Sequence, residues 1–245
     1  METDYDQSWV TTGYCLAYHA LSYGLTIDDP DQRRSELVLK RYMARNAWAS
    51  FKDLKLFFTP TIEHIQALVL LGIVAQDTSR PGLFWMLNCQ ACRLAQTMGL
   101  HRPISQTLTP AEIDMRRHLF WLLYIVDKSF SLSFGRTSSF QDYDCDVEFP
   151  KLNEVPYNPD MGTTDVVACF HPEYFVAMVK LAQLQSAVYK KLYSARASNS
   201  PEKWVWELDS RLRGWKKSLS VSAQTCDYHL WITLIVASFS RTLNQ

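Results

Sequence analysis

The sequence predicts an all-α protein, a bundle of about eight helices with mostly antiparallel neighbours and one long irregular connection. Three observations support this class. Apolar residues recur at intervals of three and four along most of the chain, and signals that pair a capping residue with Pro mark several helix starts. No run of alternating apolar and polar residues predicts a strand. The 245 residues are 47% apolar, which is enough for a substantial core.

The first two helices are predicted at residues 8–23 and from Asp29-Pro30 to about Leu54. One side of the second helix is basic. It could contact phosphates or an acidic partner, although a solvated helix face is the favoured interpretation. This basic stripe consists of Arg33, Arg34, Lys40, Arg41, Arg45, Lys52 and Lys55.

Two shorter helices follow. Thr59 and Pro60 combine a cap with a first helical position and predict a third helix over residues 62–75. Pro81 opens a fourth over residues 82–98. Gly99 in a left-handed conformation, followed by the apolar Leu100, is expected to close it and turn the chain.

The fifth helix is predicted to be central. Thr109, Pro110 and Glu112 form a capping-box start, and residues 119–126 are apolar on every side, which only a helix packed all round tolerates. It should stop at Gly135. The connection over residues 137–162 is long for a compact domain, and we expect it to pack across the bundle surface. Three further helices begin near residues 172, 200 and 224.

Asp127 follows the apolar run and is therefore predicted to be a buried carboxylate that needs a partner. We expect an arginine to hold it, with Arg136, Arg102 and Arg93 as the candidates. This pair would lock the turn at Gly135 onto the bundle.

Several patterns suggest metal or catalytic chemistry, and each is incomplete. Asp142, Asp144 and Asp146 are spaced like the opening of a calcium loop, but Val147 occupies the place of the required Gly and Asn153 that of the required Glu. Turn capping or pairing with Arg is the favoured role for these acids.

The other two patterns are also incomplete. Cys89 and Cys92 lie within one predicted helix, so two buried cysteines are favoured over a metal site. Residues 28–31 resemble an aspartate-rich magnesium motif, but Gln32 replaces the final acid. An isoprenoid-type helical enzyme is thus a minor alternative.

His101 lies just beyond a helix end, where the helix dipole favours a cation and a structural role. We expect no enzyme activity, cofactor or metal site in this chain.

Neither the net charge nor the start of the sequence predicts binding to DNA, insertion into a membrane or secretion. With 25 basic and 25 acidic residues, the chain has no global field that would draw it to DNA or to an anionic membrane. The uncharged residues 7–27 are interrupted by polar side chains, so a membrane helix is not expected. The acidic start lacks a signal-peptide layout, and the six scattered cysteines fit reduced thiols inside the cell.

Residues 93–150 resemble the regulatory middle region of fungal zinc-cluster transcription factors. The likeness lies in the helix end RLAQTMGLHR at residues 93–102, in Arg116-Arg117 ahead of Leu119-Phe120-Trp121, in Tyr124-Ile125-Val126-Asp127-Lys128, and in the Gly-Arg turn with its spaced acids. It departs where Thr137 replaces the usual Pro and where the last helix lacks an Arg-Pro continuation. The matching residues, expected to be structural, are Gly99, Leu100, His101, Arg102, Arg116, Arg117, Phe120, Trp121, Asp127, Gly135, Arg136, Asp142, Asp144, Asp146 and Pro150.

The resemblance implies a nuclear transcription regulator, often dimeric, whose middle region is controlled by intramolecular contacts, protein partners or a small-molecule effector. Zinc and direct DNA contact would belong to a separate six-cysteine module, because the cysteines here are spread from Cys15 to Cys226. We therefore expect DNA to be reached only indirectly, with protein partners such as a second copy or a full-length relative and no membrane.

The domain is expected to be a single helical regulatory domain over residues 1–245, and the sequence leaves truncation at both ends open. A helical interaction scaffold, or a truncated decoy that binds a full-length relative, is the alternative from another class. Target genes, the effector, and the choice between activation and repression are not encoded in any recognisable pattern.

Overall fold

The computed structural model describes residues 7–24, 30–51, 58–103, 108–150, 172–197 and 201–219. All regular structure in these residues is helical, so the predicted all-α class is confirmed. The seven α-helices found there are α1 (Gln7–Gly24), α2 (Pro30–Ser50), α3 (Ile62–Asp77), α4 (Pro81–Thr97), α5 (Pro110–Ser133), α6 (Pro172–Val188) and α7 (Pro201–Lys217). A 3-10 turn over Asp142–Asp144 and a π-helix over Tyr189–Tyr193 complete the list. The eighth predicted helix lies outside the described residues, as do Asp29 and Leu54.

The described residues form two compact units, one that contains α1 to α4 and one that starts at Gly99 and contains α5 to α7. The expectation of one domain over residues 1–245 stays a prediction. No helix in the described ranges is both long and apolar enough to cross a membrane.

In the first unit, α3 is the buried element. Its residues 64–75 are all buried, and α1 and α4 pack against it. The contact with α4 is close at Gly72, where a Cβ would lie 3.2 Å from Cδ2 of Phe84. A side chain at this position would therefore require the Phe84 ring to move by a few tenths of an ångström.

The start of α3 corrects one prediction. Its N-cap is Thr61, whose hydroxyl accepts a hydrogen bond from the amide of His64 at 3.2 Å. The predicted cap, Thr59, instead uses its carbonyl to accept from the amide of Thr61 and to bond Nδ1 of His64. Both threonines flank Pro60, and only the one at the N-terminal boundary of Ile62–Asp77 can reach the free amides.

In the second unit, α5 is the central helix, as predicted. Thr109 and Glu112 form the capping box, and residues 119–128 are all buried. Helix α6 packs against α5 and α7 against α6. Specific contacts fix both: the His118 ring stacks on Phe175 with centroids 4.3 Å apart, and the indole N–H of Trp215 donates to the Ala177 carbonyl at 2.8 Å.

Candidate functional site

The candidate site begins at the turn that ends α5. Gly135 has a φ of +62°, which an L side chain rarely adopts. The amide of Arg136 donates to the carbonyl of Ser131 at 2.8 Å, and the amide of Gly135 donates to Leu132 at 3.2 Å. These two bonds close the helix and reverse the chain. Residues 136–150, called here the return segment, then run back along α5.

Asp127 fastens the return segment to α5. Its buried carboxylate accepts hydrogen bonds from the backbone amides of Ser139 at 2.8 Å and Phe140 at 3.0 Å. Burial raises the pKa of Asp127, while the two amide bonds and the charge of Lys128 oppose that rise. The carboxylate therefore provides two acceptors to amides that would otherwise lack partners in a buried place.

The predicted arginine partner for Asp127 is wrong. Arg136 is exposed, Arg102 lies beside Asp144, and Arg93 donates to the side chain of Gln96. The return segment comes close enough to α5 for its own backbone amides to donate to the carboxylate of Asp127. An arginine side chain is therefore not needed as the partner. The predicted consequence, a lock on the turn at Gly135, is nevertheless what these amide bonds produce.

Lys128 is the buried cation of the site. Its ammonium donates to Oγ of Ser138 at 3.0 Å and to the carbonyl of Phe140 at 2.6 Å, and it forms an ion pair with Oδ1 of Asp142 at 3.1 Å. The nitrogen also lies 5.0 Å from the centroid of the Tyr124 ring. An ammonium has three protons, and these three acceptors use all of them.

Asp142 joins the return segment to both α5 and α6. Oδ1 accepts from the hydroxyl of Tyr124 at 2.8 Å and Oδ2 from that of Ser186 at 2.6 Å. Burial acts to raise the pKa of Asp142, but the bond from Ser186, the charge of Lys128 and the bond from Tyr124 outweigh it and lower the pKa. Burial, together with the nearby Asp142 carboxylate, raises the pKa of Tyr124. We call Tyr124, Asp127, Lys128, Asp142 and Ser186 the Lys128 network.

Apolar and polar anchors extend the contact toward the start of α5. Phe140 is fully buried, with its ring edge-on to Phe120 at a centroid distance of 5.2 Å. The indole N–H of Trp121 donates to the carbonyl of Glu148 at 2.9 Å, and Arg117 donates to the carboxylate of Glu148 at 2.6 Å. The return segment is thus attached along most of its length.

The residues after Gly99 form a second group of contacts. Gly99 has the predicted left-handed φ, +69°, and Leu100 is buried. The carbonyl of His101 accepts from the amide of Asp146 at 2.9 Å, and Nη2 of Arg102 lies 3.7 Å from Oδ1 of Asp144. This pairing of an acid with an arginine matches the role favoured for the spaced acids.

His101 differs from the prediction. Burial and the adjacent Arg102 lower its pKa, against the attraction of Asp144, so the neutral imidazole is favoured and not a dipole-stabilised cation. The side chain is buried, although it follows a helix end. The dipole argument applies to a solvated end, and burial outweighs it here.

The remaining predicted residues lie apart from the network. Arg116 is half-buried on α5, Pro150 is buried at the end of the return segment, and Cys92 on α4 is buried while Cys89 is half-buried. Within the described ranges, no three His, Cys, Asp or Glu side chains lie close enough together to hold a metal ion.

Sequence reasoning missed three members of the network. Lys128 was visible as a charge next to Asp127 at the end of the apolar run, which is the pattern of two buried charges of opposite sign. Tyr124 was counted among the apolar residues 119–126, with no role for its hydroxyl. Ser186 gave no signal, because a hydroxyl within an amphipathic helix has no sequence feature that points to a partner 44 residues earlier.

The network binds the chain to itself. Each of its charged groups already faces a fixed donor or acceptor, and the pKa of Asp142 is lowered by these mutual bonds, whereas the pKa of Tyr124 is raised first by burial and then by Asp142. The network can therefore fix one surface segment, the return segment, against α5 and α6.

The profile of the fungal-specific transcription factor domain matches residues 6–221. The chain belongs to this family. The resemblance inferred from residues 93–150 is therefore confirmed, and the family domain extends well beyond those residues on both sides. No solved structure matches the chain at a significant level.

Relatives of the family domain are regulators. The chain is 32% identical over 177 residues to a transcriptional regulatory protein of Schizosaccharomyces pombe, covering 71% of this chain and 26% of that protein. It is 31% identical over 198 residues to an ABC-transporter-regulating transcription factor of Aspergillus fumigatus, covering 79% and 21%. A transcriptional regulator of Claviceps purpurea is 27% identical over 212 residues, covering 86% and 32%. The chain spans about a fifth to a third of the length of these relatives.

Proposed function

We propose that this chain is a regulatory domain of a fungal transcription regulator, and that it controls transcription without contacting DNA itself. The observation that carries the proposal is the family match over residues 6–221. The relatives named as transcription factors and regulators support it. The net charge of zero supports the indirect role, because DNA-binding surfaces rely on an excess of Lys and Arg.

The control acts through protein contacts in the nucleus, with a second copy or a full-length relative as partners and a small-molecule effector as an additional input. The chain needs no cofactor of its own for this work. Zinc and base-specific contacts belong to a cysteine-rich module outside these residues. The Lys128 network supports such a role because it fixes the return segment against α5 and so keeps one surface in a single conformation for a partner.

The same proposal assigns no catalysis to the chain. The family and the matched relatives are transcription regulators. The buried polar groups of the Lys128 network also have each other as partners, whereas a catalytic group needs to face a substrate.

A reporter experiment tests the proposal. The chain is inserted between a heterologous DNA-binding domain and an acidic activation segment, and reporter output is compared with the fusion that lacks the chain, at equal protein level. We expect the chain to change the output. The Asp127→Ala variant should shift the output toward that of the fusion without the chain, because two buried hydrogen bonds that fix the return segment are then lost.

The control is Asp209→Ala, which removes only an exposed ion pair with Arg213 on α7. It should behave as the unaltered chain does. Equal reporter output with and without the chain would contradict the proposed regulatory role.

A further inference from the structure

Ser139 lies where the return segment is fastened to the buried carboxylate of α5. Its backbone amide donates to Oδ1 of Asp127 at 2.8 Å, and its hydroxyl donates to the same carboxylate. The next residue, Phe140, donates its amide to Oδ2 at 3.0 Å and buries its ring completely. The Ser139 side chain itself is half-buried. A group added to its hydroxyl oxygen would thus lie directly beside a buried negative charge.

The sequence around Ser139 has the layout that one class of protein kinase selects. Arg136 precedes Ser139 by three residues, and the apolar Phe140 follows it directly. Kinases that prefer basic substrates bind an arginine at this distance through their own carboxylates, and such charge patterns determine which substrates a kinase accepts. Thr137 and Ser138 follow Arg136 by only one and two residues. Ser139 is therefore the hydroxyl of this segment at the selected distance.

The return segment has to leave α5 before Ser139 can react, because a kinase binds its acceptor sequence in an extended form. Contacts that Arg136 and Ser139 make in the folded chain are given up in this detached state. Surface segments of a domain open locally at a lower free energy than the whole domain unfolds. The fraction of time that the segment spends detached therefore sets the rate of phosphorylation.

The reaction is an ordinary phosphoryl transfer from ATP. A bond forms between Oγ of Ser139 and the γ-phosphorus, and the bond from that phosphorus to the β,γ-bridging oxygen breaks. ADP leaves, and the hydroxyl proton passes to the catalytic aspartate of the kinase.

A phosphate on Ser139 is incompatible with the attached state. It carries a charge of about −1.5 to −2 at pH 7, and the carboxylate of Asp127 would face it. Lys128 is poorly placed to neutralise it, since its side chain is 2% exposed and its ammonium already binds Ser138, Phe140 and Asp142. Repulsion between like charges and the cost of burying the phosphate both oppose reattachment. The modified segment should therefore stay detached from Asp127.

We propose that Ser139 is a phosphorylation site for an arginine-directed protein kinase, and that its phosphate releases the return segment from α5. The same carboxylate attracts Ser139 as a hydroxyl and repels it as a phosphate, which makes the contact a switch. The inference rests on the proposed function in one respect. The released segment belongs to the surface that we assign to a protein partner, so phosphorylation would remove that surface.

Phosphorylation of the purified chain tests the site. The chain is incubated with Mg-ATP and a calmodulin-dependent protein kinase of this specificity, and mass spectrometry of its peptides follows phosphate at each residue. We expect phosphate at Ser139, with incorporation slowed about tenfold or more in Arg136→Ala. Asp127→Asn keeps only one acceptor oxygen, so the segment detaches more often and incorporation should be about tenfold faster than in the wild type.

Absence of phosphate at Ser139 in both the wild type and Asp127→Asn would overturn the proposal. Equal rates in the wild type and Arg136→Ala would also overturn it, because the arginine would then not direct the kinase. Equal rates in the wild type and Asp127→Asn would show that Asp127 does not hold the segment closed.

Hydrogen exchange at the amide of Phe140 tests the release. It should be about tenfold faster or more in the phosphorylated chain and in Ser139→Glu than in the unmodified chain. Thr137→Glu is the matched control, because it puts the same charge on an exposed residue two positions away, and it should leave this exchange unchanged. Ser139→Ala removes the hydroxyl but keeps the backbone amide, so it should accelerate exchange less than Ser139→Glu does. Circular dichroism and the melting temperature establish that each variant is folded.

An amide of Phe140 that stays protected in the phosphorylated chain would overturn the proposal. So would equal acceleration by Thr137→Glu and Ser139→Glu, since the effect would then not depend on Asp127. Neither assay uses a reporter or a partner protein, so failure of the phosphate switch and failure of the regulatory role are distinguishable.

Discussion

Nζ of Lys128 lies 3.1 Å from Oδ1 of Asp142, and the pair is asymmetric because the lysine side chain is 2% exposed and the aspartate side chain 44%. The cation depends on the protein for all its partners, while the carboxylate keeps access to water. A buried charge that loses its counter-charge costs several kcal/mol, and a half-exposed one costs less. The network is therefore held together chiefly by the lysine.

Lys128→Met should lower the free energy of unfolding by about 2–3 kcal/mol. The methionine fills most of the space but leaves the Phe140 carbonyl with only the Ser138 hydroxyl as a donor, and it removes the positive charge that favours the ionised form of Asp127. Thermal and urea denaturation measure the loss. Lys180→Met, at an exposed position of α6, is the control and should change stability by no more than about 0.5 kcal/mol. Equal losses in the two variants would show that the network does not stabilise the fold.

Asp142 should contribute stability that depends on pH. Its folded-state pKa is lowered from the ordinary value of 3.8, so the folded protein favours the ionised form more than the unfolded chain does. The contribution is present above that ordinary pKa and is lost as the pH falls through the folded pKa. The melting temperature of the wild type should therefore exceed that of Asp142→Asn at neutral pH. This difference in melting temperature, the gap, should decrease only when the pH falls below the ordinary pKa of aspartate.

A double-mutant cycle sharpens this test. All other acidic residues are the same in the wild type and in Asp142→Asn, so the difference between the two proteins isolates Asp142. In a Ser186→Ala background one hydrogen bond to the carboxylate is absent, and the gap should be smaller at neutral pH. A gap that keeps its neutral value in strong acid would mean that the carboxylate is not the source.

The course of α5 was predictable because its signals are local. A capping box needs only Thr109, Glu112 and the spacing between them, and burial on all sides follows directly from eight consecutive apolar residues. The turns at Gly99 and Gly135 were predictable for the same reason, since a glycine placed just after a helix favours the left-handed conformation that closes it.

The partner of Asp127 could not be predicted from the sequence. Its partners are the backbone amides of Ser139 and Phe140. Because every residue except proline has a backbone amide, these two give no sequence pattern. Reasoning from side chains therefore selects an arginine instead. The link from Asp142 to Ser186 depends on how α6 packs against α5, which no local rule specifies. The helices and the burial of Asp127 follow from local chemistry. The hydrogen bonds that the buried Asp127 carboxylate accepts depend instead on tertiary packing.

Gly135→Ala and Gly214→Ala should have opposite effects on stability. At Gly135 a Cβ meets no other atom, but the φ of +62° is unfavourable for alanine and should cost about 1–2 kcal/mol. At Gly214, within α7, a Cβ also meets no other atom, and alanine should stabilise the helix by about 0.5–1 kcal/mol. Both sites are exposed, so thermal denaturation of the two variants compares backbone conformation alone. Destabilisation of both would contradict this account.

Phe140→Ala should be the most destabilising single change in the return segment. The side chain is fully buried edge-on against Phe120, and its removal leaves a cavity beside α5 that should cost about 3–5 kcal/mol. The neighbouring amide bonds to Asp127 should also weaken, so hydrogen exchange at the amides of Ser139 and Phe140 should speed up well before global unfolding. Phe134→Ala, at a 37% exposed ring near the end of α5, is the control and should cost no more than about 1 kcal/mol. If the two variants have the same melting temperature, or if the two amides stay protected from hydrogen exchange in the Phe140 variant, then the return segment is held by its polar contacts and not by this ring.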